Sequence, residues 1–128
     1  MKGAAFIRVA EKLAPSRDEA ERRTAVSRAY YAAFHATRDF FQSLGFRVPR
    51  ADAAHAYLSR RLSAASSAPQ LVAAGNDLST LRSYRNEADY DVHEPVNSAK
   101  SQLAVNLAHQ ILSQLSATRT PTEESVLI

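Results

Sequence analysis

The chain has 128 residues, 16 Lys+Arg against 13 Asp+Glu, and no Cys or Trp. That length suits one domain of the usual ~100–150 residues, and the lack of Cys excludes a disulfide framework, a thiolate metal site and a Cys nucleophile. Three Gly exclude Gly-rich phosphate loops, no apolar run reaches the ~18 residues of a membrane span, and the opening MKGAAFIRVAEKL is too short and too charged for a signal peptide, so a soluble cytoplasmic domain is expected.

Five helical segments follow in chain order. The first covers residues 4–13, with Phe6, Val9 and Leu13 at helical spacing, and Pro15 breaks it. Ser16 and Glu19 read as a capping box that starts a second helix over 17–44, and Gly45 supplies the left-handed stop. After a connection with Pro49, a third helix spans 52–65 and Ser66-Ser67-Ala68-Pro69 ends it. The fourth covers 70–90, although Gly75, Asn76 and Asp77 allow a later start. Pro95 separates it from a fifth over 96–117, with Val96, Ala99, Leu103, Leu107, Ile111 and Leu115 as its stripe. Residues 118–128 read as a polar tail after a single domain over 1–117. Ala is the commonest residue, 24 of 128, and no segment strings β-branched residues together as strands do. Long helices with short connections make neighbours antiparallel, so the predicted fold is an all-α up-and-down bundle of about five helices.

The second helix is apolar over an arc of about 200°, filled by Ala25, Val26, Ala29, Tyr30, Ala32, Ala33, Phe34, Ala36, Thr37, Phe40 and Phe41. A face that wide touches several partners, so this helix is expected at the centre. On the remaining arc Arg28, Tyr31, His35 and Arg38 form one line at 3-4-3 spacing. That line is either a solvated face or a polar strip lining a cleft or dimer seam.

The fourth helix carries the sharper anomaly. Its stripe is Leu71, Ala74, Leu78, Leu81 and Ala88, and Arg85 falls on it, with Asp89 one turn on and Arg82 one turn back. A charge facing a core must be paired or must border a polar cavity. Arg85–Asp89 is then either a pair that ties off the helix end or the floor of an anion site. Two guanidinium forks within one turn suit phosphate. Arg exceeds Lys 13 to 3, and residues 1–85 hold 14 of the 16 cations, which is also consistent with a polyanion surface.

The stretches RAYYAAFH (28–35) and LRSYRNEADYD (81–91) together resemble a HEPN domain, in the prokaryotic form found beside small nucleotidyltransferases. The similarity in helix order covers roughly residues 5–117. The resemblance implies a helical bundle that dimerises, often a metal-independent ribonuclease acting as a toxin in a toxin–antitoxin pair. The family's signature is an Arg, a polar residue such as Asn, and a His a few residues on. Arg holds the phosphate while His moves a proton during attack by the ribose 2′-hydroxyl. Arg85-Asn86 matches the start, but the first His position, four residues between, holds Tyr90. A free Tyr titrates near ~10 and is a poor base at neutral pH. His93 comes with seven residues between, outside the usual spacing.

The candidate site is therefore Arg85 and Tyr90 for chemistry, with Arg28, Tyr31, His35, Arg82, Asn86 and Asp89 for binding. His55 shares a face with Leu58 and Leu62 and reads as a satisfied core-edge residue, while His109 is isolated. No His pair has metal-ligand spacing with a carboxylate, so neither metal nor cofactor is expected. Besides a plain structural bundle whose Arg85–Asp89 pair is only a cap, two functions stay open. One is an RNA-binding nuclease or degenerate nuclease. The other is a non-catalytic module, a homodimer that recognises a nucleotide or a partner nucleotidyltransferase, for which Tyr90 or Tyr84 would be the tyrosine the resemblance marks for adenylylation.

Overall fold

A computed structural model describes residues 3–118, and its helices are α1 (Gly3–Leu13), α2 (Glu19–Ser43), α3 (Asp52–Ala64), α4 (Pro69–Tyr90) and α5 (Ser98–Ala117). No strand occurs among the described residues, so the all-α class is as expected. The expected tail lies outside the described residues except for Thr118, which is buried and caps α5. No helix is long and apolar enough to cross a membrane.

Helix α2 packs against α1, α4 and α5, while α3 lies on α4 and touches α2 lightly. The contacts fix the directions. Ser101 at the start of α5 donates to the Ala14 carbonyl just beyond α1, at 2.7 Å. Arg23 in the first turns of α2 reaches the Glu87 and Ala88 carbonyls near the end of α4. Gln114 late in α5 donates to Asp77 early in α4. Thus α2 and α5 run one way and α1 and α4 the other.

The alanines of α2 explain its central place. Ala25, Ala29, Ala32 and Ala33 are fully buried and let neighbouring backbones come close. A Cβ on Gly3 of α1 would stand 2.9 Å from the Ala32 carbonyl oxygen. Between these small residues, Tyr30, Phe34 and Phe41 fill the core with Leu58, Leu71, Leu78, Leu81 and Ile111. Each fully buried Leu or Phe contributes roughly 1.5–3 kcal/mol. Helix α2 ends in a Schellman motif, in which Gly45 (φ +93°) donates to Gln42 and Phe46 donates back to Phe41. The Phe41 and Phe46 rings meet edge-on across it, 5.5 Å apart.

Several local expectations are corrected. The cap of α2 is Asp18, whose carboxylate accepts from Ala20 N–H at 2.9 Å, and Ser16 pairs with Glu21, not Glu19. An ionised cap two residues nearer the helix wins because it also faces the positive end of the helix dipole. Helix α1 buries Gly3, Ile7 and Ala10, leaving Val9 exposed. On α5 the buried face is Ser101, Ala104, Val105, Ala108, Ile111 and Leu115, with Leu103 turned to solvent. A strict four-residue row advances about 40° per step, so over α5 it winds off the core face. Val96 precedes α5, whose cap is Asn97 accepting from Lys100 N–H at 2.8 Å. Finally, α4 starts at Pro69 and runs through Gly75 without a break. At Gly75 the backbones nearly touch, since a Cβ there would meet Leu62 Cβ at 3.0 Å and Ser63 N at 3.2 Å.

Candidate functional site

Arg85 lies between the buried Leu81 and Ala88 on α4, so its side chain turns toward α2 and keeps only 14% exposure. Nη2 donates to the Tyr31 hydroxyl at 2.9 Å and Nη1 to Asn86 Oδ1 at 3.0 Å. Asp89 Oδ2 is 3.1 Å from Nε, but off the N–H axis, so that contact is an ion pair without a directed hydrogen bond. Ser27, buried on α2, donates to the same carboxylate oxygen at 3.3 Å. The guanidinium carbon stands 5.9, 5.5 and 5.6 Å from the ring centroids of Tyr30, Tyr31 and Tyr90. Burial works against its charge, but Tyr31, Asp89 and Tyr90 more than compensate and hold its pKa above the usual value. Of the five guanidinium N–H donors, two are thus directed at protein oxygens.

The polar line of α2 meets this cluster at Tyr31. Arg28 lies over the Tyr31 ring at 5.0 Å and over Phe6 of α1 at 5.7 Å. His35 stacks on Phe6, centroids 5.3 Å apart and planes 9° from parallel. Burial holds the His35 pKa below its usual value. Arg28, Tyr31, His35 and Arg38 are all half-buried, so the line is a packed strip and not a freely solvated face. His35 contacts Tyr31 and not Arg85, so the site gains no imidazole from it.

Tyr30 and His55 form a pair that sequence spacing did not reveal. The Tyr30 hydroxyl and His55 Nδ1 are hydrogen-bonded to each other, and the His55 ring lies 4.5 Å from Phe34. Burial raises Tyr30 to about 12 against the opposing charges of Arg82 and Arg85, and burial lowers His55, helped by the same two arginines. Both shifts keep the pair neutral. His55 is satisfied at the core edge, as expected.

Tyr90, the last residue of α4, is 73% exposed, and His93 is exposed on the following connection. Arg22 and Arg23 hold that connection in place. Arg22 Nε donates to the Val96 carbonyl at 2.7 Å, and Arg23 reaches the carbonyls of Ala88, Asp91 and Val92 at 3.0–3.3 Å. A hint was present in the sequence, because two cations in the first turns of a helix oppose its dipole and call for tertiary partners. Of the nearby acids, Glu87 pairs with Lys100 and Asp89 with Arg85, while Asp91 and Glu94 are exposed. Arg82 and Asn86 line a groove toward α3, away from this pairing. No cluster suited to a metal ion occurs among the described residues.

The site thus brings Arg85, Asp89, Asn86, Tyr31, Tyr90 and Arg28 into one constellation and leaves His35 beside it. No curated protein and no solved structure matches the chain. The HEPN domain profile matches residues 2–117, nearly the whole sequence and both motif-bearing helices, and on that match the chain belongs to the HEPN domain family.

Proposed function

We propose that this HEPN domain binds RNA phosphate at Arg85, as the HEPN component of a toxin–antitoxin-type module, without efficient cleavage. The observation that carries the reading is the convergence of Arg28 from α2 and Arg85 from α4 on the Tyr31 ring, with Asp89 as the one carboxylate paired to Arg85. The guanidinium is aimed in advance by Tyr31 and Asn86, and its remaining donors suit a phosphate oxygen. The flanking tyrosine rings suit base stacking. Transfer to the 2′-hydroxyl needs a base, and a phenol in the Tyr90 position is a poor one at neutral pH. A two-fold dimer that brings two copies of Arg85 into one cleft would double the positive charge. The exposure of Tyr90 (73%) and Val92 (68%) beside the site supports an interface at this end.

A second reading rests on Tyr90 itself. Its exposed phenol at a helix end, flanked by the exposed Asp91 and Glu94, suits recognition by a partner nucleotidyltransferase. In that reaction the phenol oxygen attacks the α-phosphorus of a nucleoside triphosphate and pyrophosphate leaves.

Fluorescence anisotropy with a labelled single-stranded RNA in EDTA tests the first reading. Wild-type protein should bind with affinity that falls steeply as salt rises, and Arg85→Gln should bind at least ten-fold more weakly. Equal affinity of the two proteins, or no salt-dependent binding, overturns it.

A further inference from the structure

Most of the half-buried arginines of the bundle have a partner within it. Arg22, Arg23 and Arg61 donate to protein oxygens, Arg28 lies over two rings, and Arg85 is paired. Arg38 and Arg82 form no hydrogen bond and no ion pair with any described residue, and of these two only Arg82 has an Nε sealed from solvent without an acceptor. A guanidinium partly withdrawn from water with nothing opposite is unfavourable unless an anion arrives from outside.

The surroundings suit such an anion. Arg82 lines an open groove between α3 and α4 with Ala56, Ser59, Ser79, Ser83 and Asn86. No carboxylate lines it. Asn86 directs its carbonyl oxygen to Arg85 Nη1, which leaves its amide hydrogens for other acceptors. Ser83 donates to the Ser79 carbonyl, while the hydroxyls of Ser59 and Ser79 are directed at no described residue. The groove therefore offers a cation and several neutral donors and nothing that repels negative charge. Asn86 touches both Arg85 and the groove, so the two anion sites adjoin.

We propose that the α3–α4 groove is a second phosphate subsite, formed by Arg82, Ser59, Ser79 and Asn86, that takes a neighbouring phosphate of the RNA chain held at Arg85. It rests on the RNA reading above for the source of the phosphate, but not for the subsite itself.

The test uses the full chain and two probes, inorganic phosphate followed by amide chemical shifts and labelled single-stranded RNA followed by anisotropy. Phosphate should shift the amides of Ser59, Ser79 and Arg82 in wild type, and Arg82→Gln should abolish the shifts of the two serines. With RNA, Arg82→Gln should reduce the slope of log affinity against log salt by about 0.7, the loss of one single-strand phosphate contact. Ser79→Glu should weaken RNA binding at least ten-fold, while the charge-matched Ser113→Glu on the exposed face of α5 should not. Equal effects of the two glutamates, or phosphate shifts confined to Arg28 and Tyr31, overturn the subsite and leave the Arg85 reading intact. Phosphate shifts at the groove in a protein that binds no RNA overturn the RNA source and keep the subsite as one for free phosphate. Circular dichroism of each variant confirms that it is folded.

Discussion

The Tyr31 hydroxyl accepts from Arg85 Nη2 at 2.9 Å, and this one contact joins the polar line of α2 to the Arg85–Asp89 pair of α4. It joins the half-buried polar strip of α2 and the paired arginine of α4 into one charged cluster. It also makes the cluster part of the seam between two core helices, so disturbing it should affect stability as well as the proposed binding.

Asp89→Ala leaves a guanidinium of 14% exposure without its counter-charge and frees the Ser27 hydroxyl. Urea denaturation should show a loss of about 1–3 kcal/mol. Glu94→Ala, at an exposed position, should stay within about 0.5 kcal/mol of wild type. Equal midpoints for the two variants would remove the pair from the account.

Gly75→Ala sets helix propensity against packing. Alanine gains about 1 kcal/mol in a helix interior, but its Cβ would stand 3.0 Å from Leu62 Cβ and 3.2 Å from Ser63 N. Neither is the far end of a flexible side chain, so α3 must move. With overpacking costing about 1–3 kcal/mol, the variant should be less stable than wild type by thermal unfolding. A raised midpoint would mean that α3 yields freely.

The Tyr30–His55 pair predicts two pH windows. Tyr30 is raised to about 12 when folded, above the ordinary value of 10.0, so its contribution is complete below pH 10 and is lost as pH rises toward 12. His55 is lowered, so its contribution is present above its ordinary 6.5 and is lost as pH falls through the folded value. Tyr30→Phe should flatten the alkaline decline relative to wild type. Proton NMR of His55 should show a midpoint below 6.5, and a midpoint at or above it contradicts the buried neutral pair.

The fold was largely legible because its signals are redundant. The alanine and aromatic arc of α2 needs several partners, and Gly45 and Pro69 punctuate the chain through local backbone chemistry, whereas the cap of α2 was read at Ser16 and lies at Asp18. The misplacing of Val9 and Leu103 came from reading apolar residues at fixed spacing, while much of the burial followed the small residues Gly3, Ala10, Ala104 and Ala108 that permit close contact. The site was half legible. Arg85 stood out as a charge on an apolar stripe, and its neighbours on the same helix followed from spacing. Phe6, Ser27, Tyr30 and His55 did not, because their roles depend on contacts between helices that no local pattern encodes.

The exposed Tyr90 and Val92 beside Arg85 predict self-association. Light scattering at micromolar concentration should give about twice the 14.0 kDa chain mass. Tyr90→Asp should lower that mass toward the monomer by placing like charges across the two-fold axis. A monomeric wild type contradicts the composite cleft.

The most direct measurement follows the Arg85 side chain itself. In a spectrum that resolves arginine Nε–H groups, with the Arg85 signal assigned by its absence from Arg85→Lys, a short single-stranded RNA is titrated into the wild-type protein. The Arg85 signal should move progressively with RNA and return as salt is raised. RNA binding that shifts other arginines and leaves Arg85 in place would contradict phosphate binding at that residue.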